Sequence, residues 1–250
     1  MKKTTTFFLF LLFASANGTL QAENLQSRIK AEDIIATARK VNTYFIHKYP
    51  DPTQPTFVKK ERSSNLWTRS VYYEGLMALY EIDRDTSYIH YTDRWANFHQ
   101  WAPRNGLNTT NADDQCCEQI YLERYVQSGG PEKIEKVKEN LDSQIATGKH
   151  TYWTWIDAIQ MAMPIYAKYA EITGETKYLD YAVKCYQWSR DSLAGGLFNE
   201  KDGLWWRDKD YVAPYKESDG KDCYWSRGNG WVYAALVKVL QTLRKDDQTS

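Results

Sequence analysis

Three short segments of this sequence bring acids, a guanidinium and indole rings together in ways that could do chemistry. The first, Tyr152-Trp153-Thr154-Trp155-Ile156-Asp157, sets a carboxylate at the start of an amphipathic run, among aromatic residues. An Asp there can cap a helix by accepting backbone N–H bonds, with the helix dipole lowering its pKa. It can also serve as a general acid if burial among Trp153, Trp155 and their neighbours outweighs the cap and raises the pKa. The second segment, Asn111-Ala112-Asp113-Asp114, is an acidic pair that likewise begins a helical run. Carboxyl groups in different surroundings have their pKa values pushed apart, the usual basis for dividing acid and base roles. Asp113 or Asp114 is therefore the expected partner of Asp157.

The third segment is Tyr224-Trp225-Ser226-Arg227-Gly228-Asn229-Gly230-Trp231. Its two glycines permit close backbone approach. Arg227, bracketed by Trp225 and Trp231, can stack on a ring or clamp a carboxylate through two parallel hydrogen bonds. Leu204-Trp205-Trp206-Arg207-Asp208, in the loop before it, adds further rings and charge. The candidate binding residues are thus Asp114, Trp153, Trp155, Trp205, Trp206, Arg207, Trp225, Arg227 and Trp231. His150, shortly before Asp157, is the only histidine expected near a cleft. The four histidines lack metal spacing, and Cys116, Cys117, Cys185 and Cys223 contain no zinc-type pair. They leave room for one bridge or for buried free thiols. There is no phosphate loop, dinucleotide fingerprint or serine nucleophile elbow, so neither cofactor nor metal is expected.

The elements that must position these groups read as helices. Apolar residues recur at steps of three and four over residues 27–49, 70–83, the run after Asp85, 113–125, the run opened by Pro131, 157–172, 178–191 and 230–243. No strand pair is evident, and the class is all-α. The helices come in similar pairs. Glu74-Gly75-Leu76-Met77-Ala78-Leu79-Tyr80 with Asp85 to Tyr88 resembles Asp157 to Met161 with Tyr166 to Tyr169 and Thr173 to Tyr178. Residues 119–131 are a degenerate copy and Gly228 begins another. A period of about forty to fifty residues marks an array of helical hairpins that bury their faces on one another. Polar and aromatic residues gathered at the starts of alternate helices fit a closed toroid whose inner ring lines a cleft, with an open solenoid as the alternative.

Composition narrows the partners. Lys and Arg total 32, as do Asp and Glu, which provides neither a nucleic-acid footprint nor a polybasic membrane contact. Ten Trp, nineteen Tyr and eight Phe supply flat amphipathic rings suited to the apolar faces of sugars, although most belong to a core. At the N-terminus Met1-Lys2-Lys3, the apolar run from Phe7 to Phe13 and Ala14-Ser15-Ala16 form a secretory leader. Its apolar run is far short of the ~20 residues a spanning helix needs. Cleavage follows Ala16 or Ala22, so residues 1–22 are taken as leader and 23–250 as a single domain, exported to the periplasm or the medium.

Trp155-Ile156-Asp157 through Met161 and Pro164, Thr173-Gly174 with Tyr178, Asp202-Gly203-Leu204-Trp205, and Trp225 to Trp231, in that order, resemble the unsaturated rhamnogalacturonyl hydrolases of glycoside hydrolase family 105. Those are relatives of the unsaturated glucuronyl hydrolases of family 88. The resemblance runs from about residue 30 to the C-terminus. It implies an (α/α)6 toroid and an oligosaccharide substrate, of pectic rhamnogalacturonan type, bearing a 4,5-unsaturated uronic acid at its non-reducing end. It also implies that Asp157 protonates C4 of the vinyl ether while water adds at C5. Asp113 is the better match for the second Asp, and Arg227 with its tryptophans matches the substrate-binding segment. Two departures stand out. Glu118 replaces a Gly common in the family, which predicts different packing of that helix. The sequence also stops after about four of the six hairpins, so the C-terminal part of the toroid is expected to be absent. Two other functions use the same residues: inverting hydrolysis of saturated glycans by paired aspartates, and glycan binding without turnover.

Overall fold

The computed structural model describes residues 30–246; the expected leader lies outside them. The chain divides into two compact units, Met1–Pro50 and Asp51–Ser250, where the sequence reads one domain from residue 23. Helix α1 (Ala31–Lys48) is the described part of the first. Glu32 and Asp33 in its first turn and His47 and Lys48 in its last complement the helix dipole.

The second unit is built of helical hairpins. Its helices are α2 (Trp67–Asp83), α3 (Thr86–Phe98), the short α4 (Ala112–Gln115), α5 (Glu118–Ser128), α6 (Glu135–Ala146), α7 (Asp157–Thr173), α8 (Lys177–Asp191) and α9 (Ser226–Asp246). Helix α2 packs on α3 and α5, and α7 packs on α8, α9, α4 and α5. Helix α7 is at the centre, with every residue from Asp157 to Ala167 buried, as expected of a helix that is apolar nearly all round. Pro164 within it lacks the N–H that would bond the Gln160 carbonyl. Gln119 of α5 takes over, donating from Nε2 to Gln160 O at 2.8 Å. Elsewhere the core is aromatic: Tyr73 stacks on Trp95 with centroids 4.0 Å apart, and Trp95 Nε1 donates to Ser64 O.

The all-α class holds, with local corrections. The run expected over 113–125 is broken at Cys116-Cys117, because Asn111 caps a single turn by accepting from Asp113 N at 2.9 Å before α5 begins. Pro131 opens a 3-10 turn, not α6 itself. Helix α9 starts four residues before Gly230. Two small antiparallel hairpins occur where no strand pair is evident in the sequence, because each is only two or three residues long per strand. They are β1 (Thr56–Val58) with β2 (Lys60–Arg62), and β3 (Phe198–Asn199) with β4 (Leu204–Trp205). All four cysteines are free.

Candidate active site

The start of α7 is held from two sides. On one, the loop after β4 lies across it: Ile156 N donates to Arg207 O at 2.9 Å, and Trp155 pairs with Asp208 in an antiparallel bridge. On the other, the first turn of α9 presses in at Gly228. A Cβ there would sit 2.6 Å from Ile156 Cδ1 and 2.8 Å from Trp225 Cε3, so any larger residue forces a neighbour to shift. Asn229 ties the loop to α9. It accepts from Trp205 N at 2.8 Å and donates to Trp205 O at 3.0 Å and Trp225 O at 3.1 Å.

These contacts bring Arg207 and Arg227 to Asp157. The Arg227 guanidinium lies 4.3 Å from the Trp225 ring centre and that of Arg207 lies 5.7 Å from it. Arg207 also pairs with Asp208 at 3.3 Å. Asp157 is the first residue of α7, not its cap; Ile156 occupies the cap position, with no side-chain cap bond. Its side chain is 7% exposed. Burial raises its pKa, its own backbone N–H, Arg207 and Arg227 lower it, and Asp208 raises it; burial wins and the pKa is raised. The competition posed by the sequence is thus decided against a simple cap.

Asp113 is coupled to this carboxyl group. Burial, then the charge of Asp157, then that of Asp114 raise its pKa to about 6, against a smaller opposing effect of Arg104. Its neighbour Asp114 is directed elsewhere. Buried, it accepts from Arg104 Nη1 at 2.7 Å, Asn105 Nδ2 at 2.8 Å and Thr109 Oγ1 at 3.2 Å. With both oxygens occupied, Asp114 braces the 104–109 loop, whereas the sequence reading placed it among the binding residues.

The remaining candidates divide. Trp155, Trp206 and Trp225 are half-buried and Arg207 and Arg227 exposed, with Trp206 against Tyr224 at 5.8 Å. Trp153 and Trp205 depart from expectation because both are core residues. Trp153 packs beside Tyr166, and Trp205 packs between Tyr186 and Phe198. His150 is exposed in the loop before α7. Trp231 lines a different cavity, of about 980 Å³, with Glu74, Gln119, Pro164 and Lys238. Two contributors are not singled out by residue type and spacing: Asn229, although the glycines flanking it stand out, and Arg104, whose loop carries no motif. Among the described residues, no group of three or more His, Cys, Asp or Glu side chains could hold a metal ion.

Chemically, the site offers two carboxyl groups whose pKa values burial raises, that of Asp113 to about 6, with two guanidiniums and an indole ring next to Asp157. Such a pair can give and take back a proton next to an anionic, ring-shaped molecule.

The family model for Glycosyl Hydrolase Family 88 matches residues 37–250. The unsaturated 3S-rhamnoglycuronyl hydrolase of Formosa agariphila is 28% identical over 200 residues, 72% of this chain and 52% of that protein. An enzyme of the same name from Alteromonas sp. strain LOR is 27% identical over 209 residues, 74% of this chain and 48% of that protein. The chain therefore spans about half the length of these curated relatives. The solved structure of a glycosyl hydrolase family 88 protein from Bacteroides vulgatus superimposes with a TM-score of 0.77 at 28% identity, covering 86% of this chain and 62% of that one. The fold class is the helical toroid of these structural neighbours.

Proposed function

This chain belongs to glycosyl hydrolase family 88, and on that premise we propose that it releases a 4,5-unsaturated uronic acid from the non-reducing end of oligosaccharides. The observation that carries this is that Arg207 and Arg227 act on the buried Asp157 carboxyl group at the start of α7, while Asp113 of α4 responds to the charge of Asp157. In this reading Asp157, protonated, delivers its proton to C4 of the vinyl ether as positive charge develops at C5. Water adds at C5, giving its proton back to the Asp157 carboxylate. The resulting hemiketal opens, and the glycosidic bond breaks without being attacked directly.

The guanidiniums give the substrate a part in this. Both lower the pKa of Asp157. A uronate carboxylate pairing with them neutralises that effect, so Asp157 gains its proton as the substrate arrives. The charge of Asp157 raises the pKa of Asp113, as a neighbouring carboxylate does. Trp225 and Trp155 offer flat faces to the sugar rings.

Two substrates fit. The family resemblance implies pectic rhamnogalacturonan-type oligosaccharides; the two relatives are named unsaturated 3S-rhamnoglycuronyl hydrolases, which favours the 3S-rhamnoglycuronyl type of substrate in that name. Supplying each to the protein and following loss of the ultraviolet absorbance of the double bond separates them. The N-terminal leader supports action in the periplasm or the medium. In the same assay Asp157→Asn is expected to lower turnover by about 10² to 10⁴-fold, the usual worth of a general acid, while substrate binding persists. Unchanged turnover in the variant refutes the role of Asp157. Turnover of saturated glycans points to direct hydrolysis, and binding without turnover by either form points to a glycan-binding protein.

A further inference from the structure

Behind the turn that carries Asp113 lies a buried polar cluster that the proposed chemistry does not use. Glu118, the first residue of α5, is 0% exposed. Neither of its oxygens has a hydrogen-bond partner, and the same is true of Gln115 Oε1 and the Tyr166 hydroxyl. All three groups are neighbours: Gln115 adjoins both the Glu118 carboxyl and the Tyr166 hydroxyl, and Tyr166 senses the charge of Glu118. The titratable groups facing Glu118 are Cys117 and Tyr121 from its own segment and Tyr166 from α7. Among the described residues no cation pairs with it. An ionised carboxylate in such surroundings bears a desolvation cost that the Gln115 side chain offsets only in part, and burial, the larger effect, raises its pKa well above the usual range.

A neutral carboxylic acid has one donor and one acceptor, which is what the orphaned atoms lack. We propose that Glu118 is a positioning residue, a neutral acid that accepts from the Tyr166 hydroxyl and donates to Gln115 Oε1. The chain then continues through bonds already formed. Gln115 Nε2 donates to Asn140 Oδ1 at 2.7 Å, and Asn140 Nδ2 donates to Leu107 O at 2.8 Å and Thr109 O at 3.0 Å. Thr109 in turn bonds Asp114. A line of directed hydrogen bonds thereby runs from α7 through α4 to α6 and the 104–109 loop, fixing the turn on which Asp113 stands. Its relevance to catalysis rests on the proposed role of the Asp113–Asp157 pair; its existence does not.

The test uses the full chain without substrate. If Glu118 is neutral when folded, folding takes up a proton that the unfolded chain has released above its ordinary value of 4.5. The folding constant then falls by up to about tenfold per pH unit from this group alone. Urea unfolding across roughly pH 6.5 to 8.5 should show that slope in the wild type and its loss in Glu118→Gln, which keeps the shape without the proton. Equal slopes overturn the proposal. Should the Gln variant fail to fold, infrared spectra of the wild type with 13C-labelled glutamate decide: a protonated-carboxyl band at pH 8 supports a neutral Glu118, and its absence overturns it. For the positioning role, the Asp113 titration followed by NMR should be kept in Glu118→Gln and displaced in Glu118→Leu. An Asp113 titration unmoved by Leu refutes positioning, whatever the enzyme turns over.

Discussion

Gly228→Ala is the sharpest probe of how the site is assembled. The added methyl would sit 2.6 Å from Ile156 Cδ1 and 2.8 Å from Trp225 Cε3, whereas carbon atoms rest at about 3.5–4.0 Å. The shortfall is about 1 Å on each, and Ile156 is fully buried and cannot swing away. Overpacking of this kind costs about 1–3 kcal/mol. Part is offset by the better helix propensity of Ala, worth at most about 1 kcal/mol, leaving a net loss of about 0–2 kcal/mol when that gain is fully realised. Gly230→Ala, two residues on in the same helix, meets nothing within 4 Å and should stabilise by about 0.5–1 kcal/mol. Urea unfolding of the pair should therefore differ by roughly 2 kcal/mol, Gly230→Ala being the more stable. The clash also displaces Arg227 and the start of α7 relative to each other, and a misplacement near 1 Å can cost about 10²-fold in turnover. Equal stability for the two variants would refute the argument that α7 and α9 are fitted at Gly228.

Two further predictions concern the acidic pair. Asp114→Asn strips the charge from a buried acceptor of three donors; because Arg104 is partly exposed, the expected loss is about 1–3 kcal/mol, read by urea unfolding. Asp113 has a folded pKa of about 6 against an ordinary 3.8, so its contribution favours folding below the ordinary value and is lost as pH rises through about 6. Asp113→Asn should thus gain stability relative to the wild type between pH 4 and pH 7, even as turnover falls; no such gain would mean that Asp113 is not held protonated.

Much of this was legible in the residues alone because it depends on local order. Three- and four-residue apolar spacing specifies the helices, and the paired recurrence specifies hairpins. Asp157, Asp113, Arg207 and Arg227 were recognisable as types that do acid–base and carboxylate chemistry next to helix starts. What local order cannot encode is which face of a turn a side chain takes. Asp113 and Asp114 are adjacent and chemically identical. Only the 104–109 loop, by supplying three donors to one of them, makes Asp114 a brace and leaves Asp113 to couple with Asp157. Likewise Trp153 and Trp155 differ by two positions, yet one is core and the other half-buried. Whether Asp157 is a cap or an acid depended on the balance of burial against two arginines from distant segments, a balance of long-range contacts. The kind of fold and the residue types of the site follow from local order along the chain; which acid is braced and which responds to Asp157 follows from contacts, desolvation and charge coupling that exist only once the helices have met.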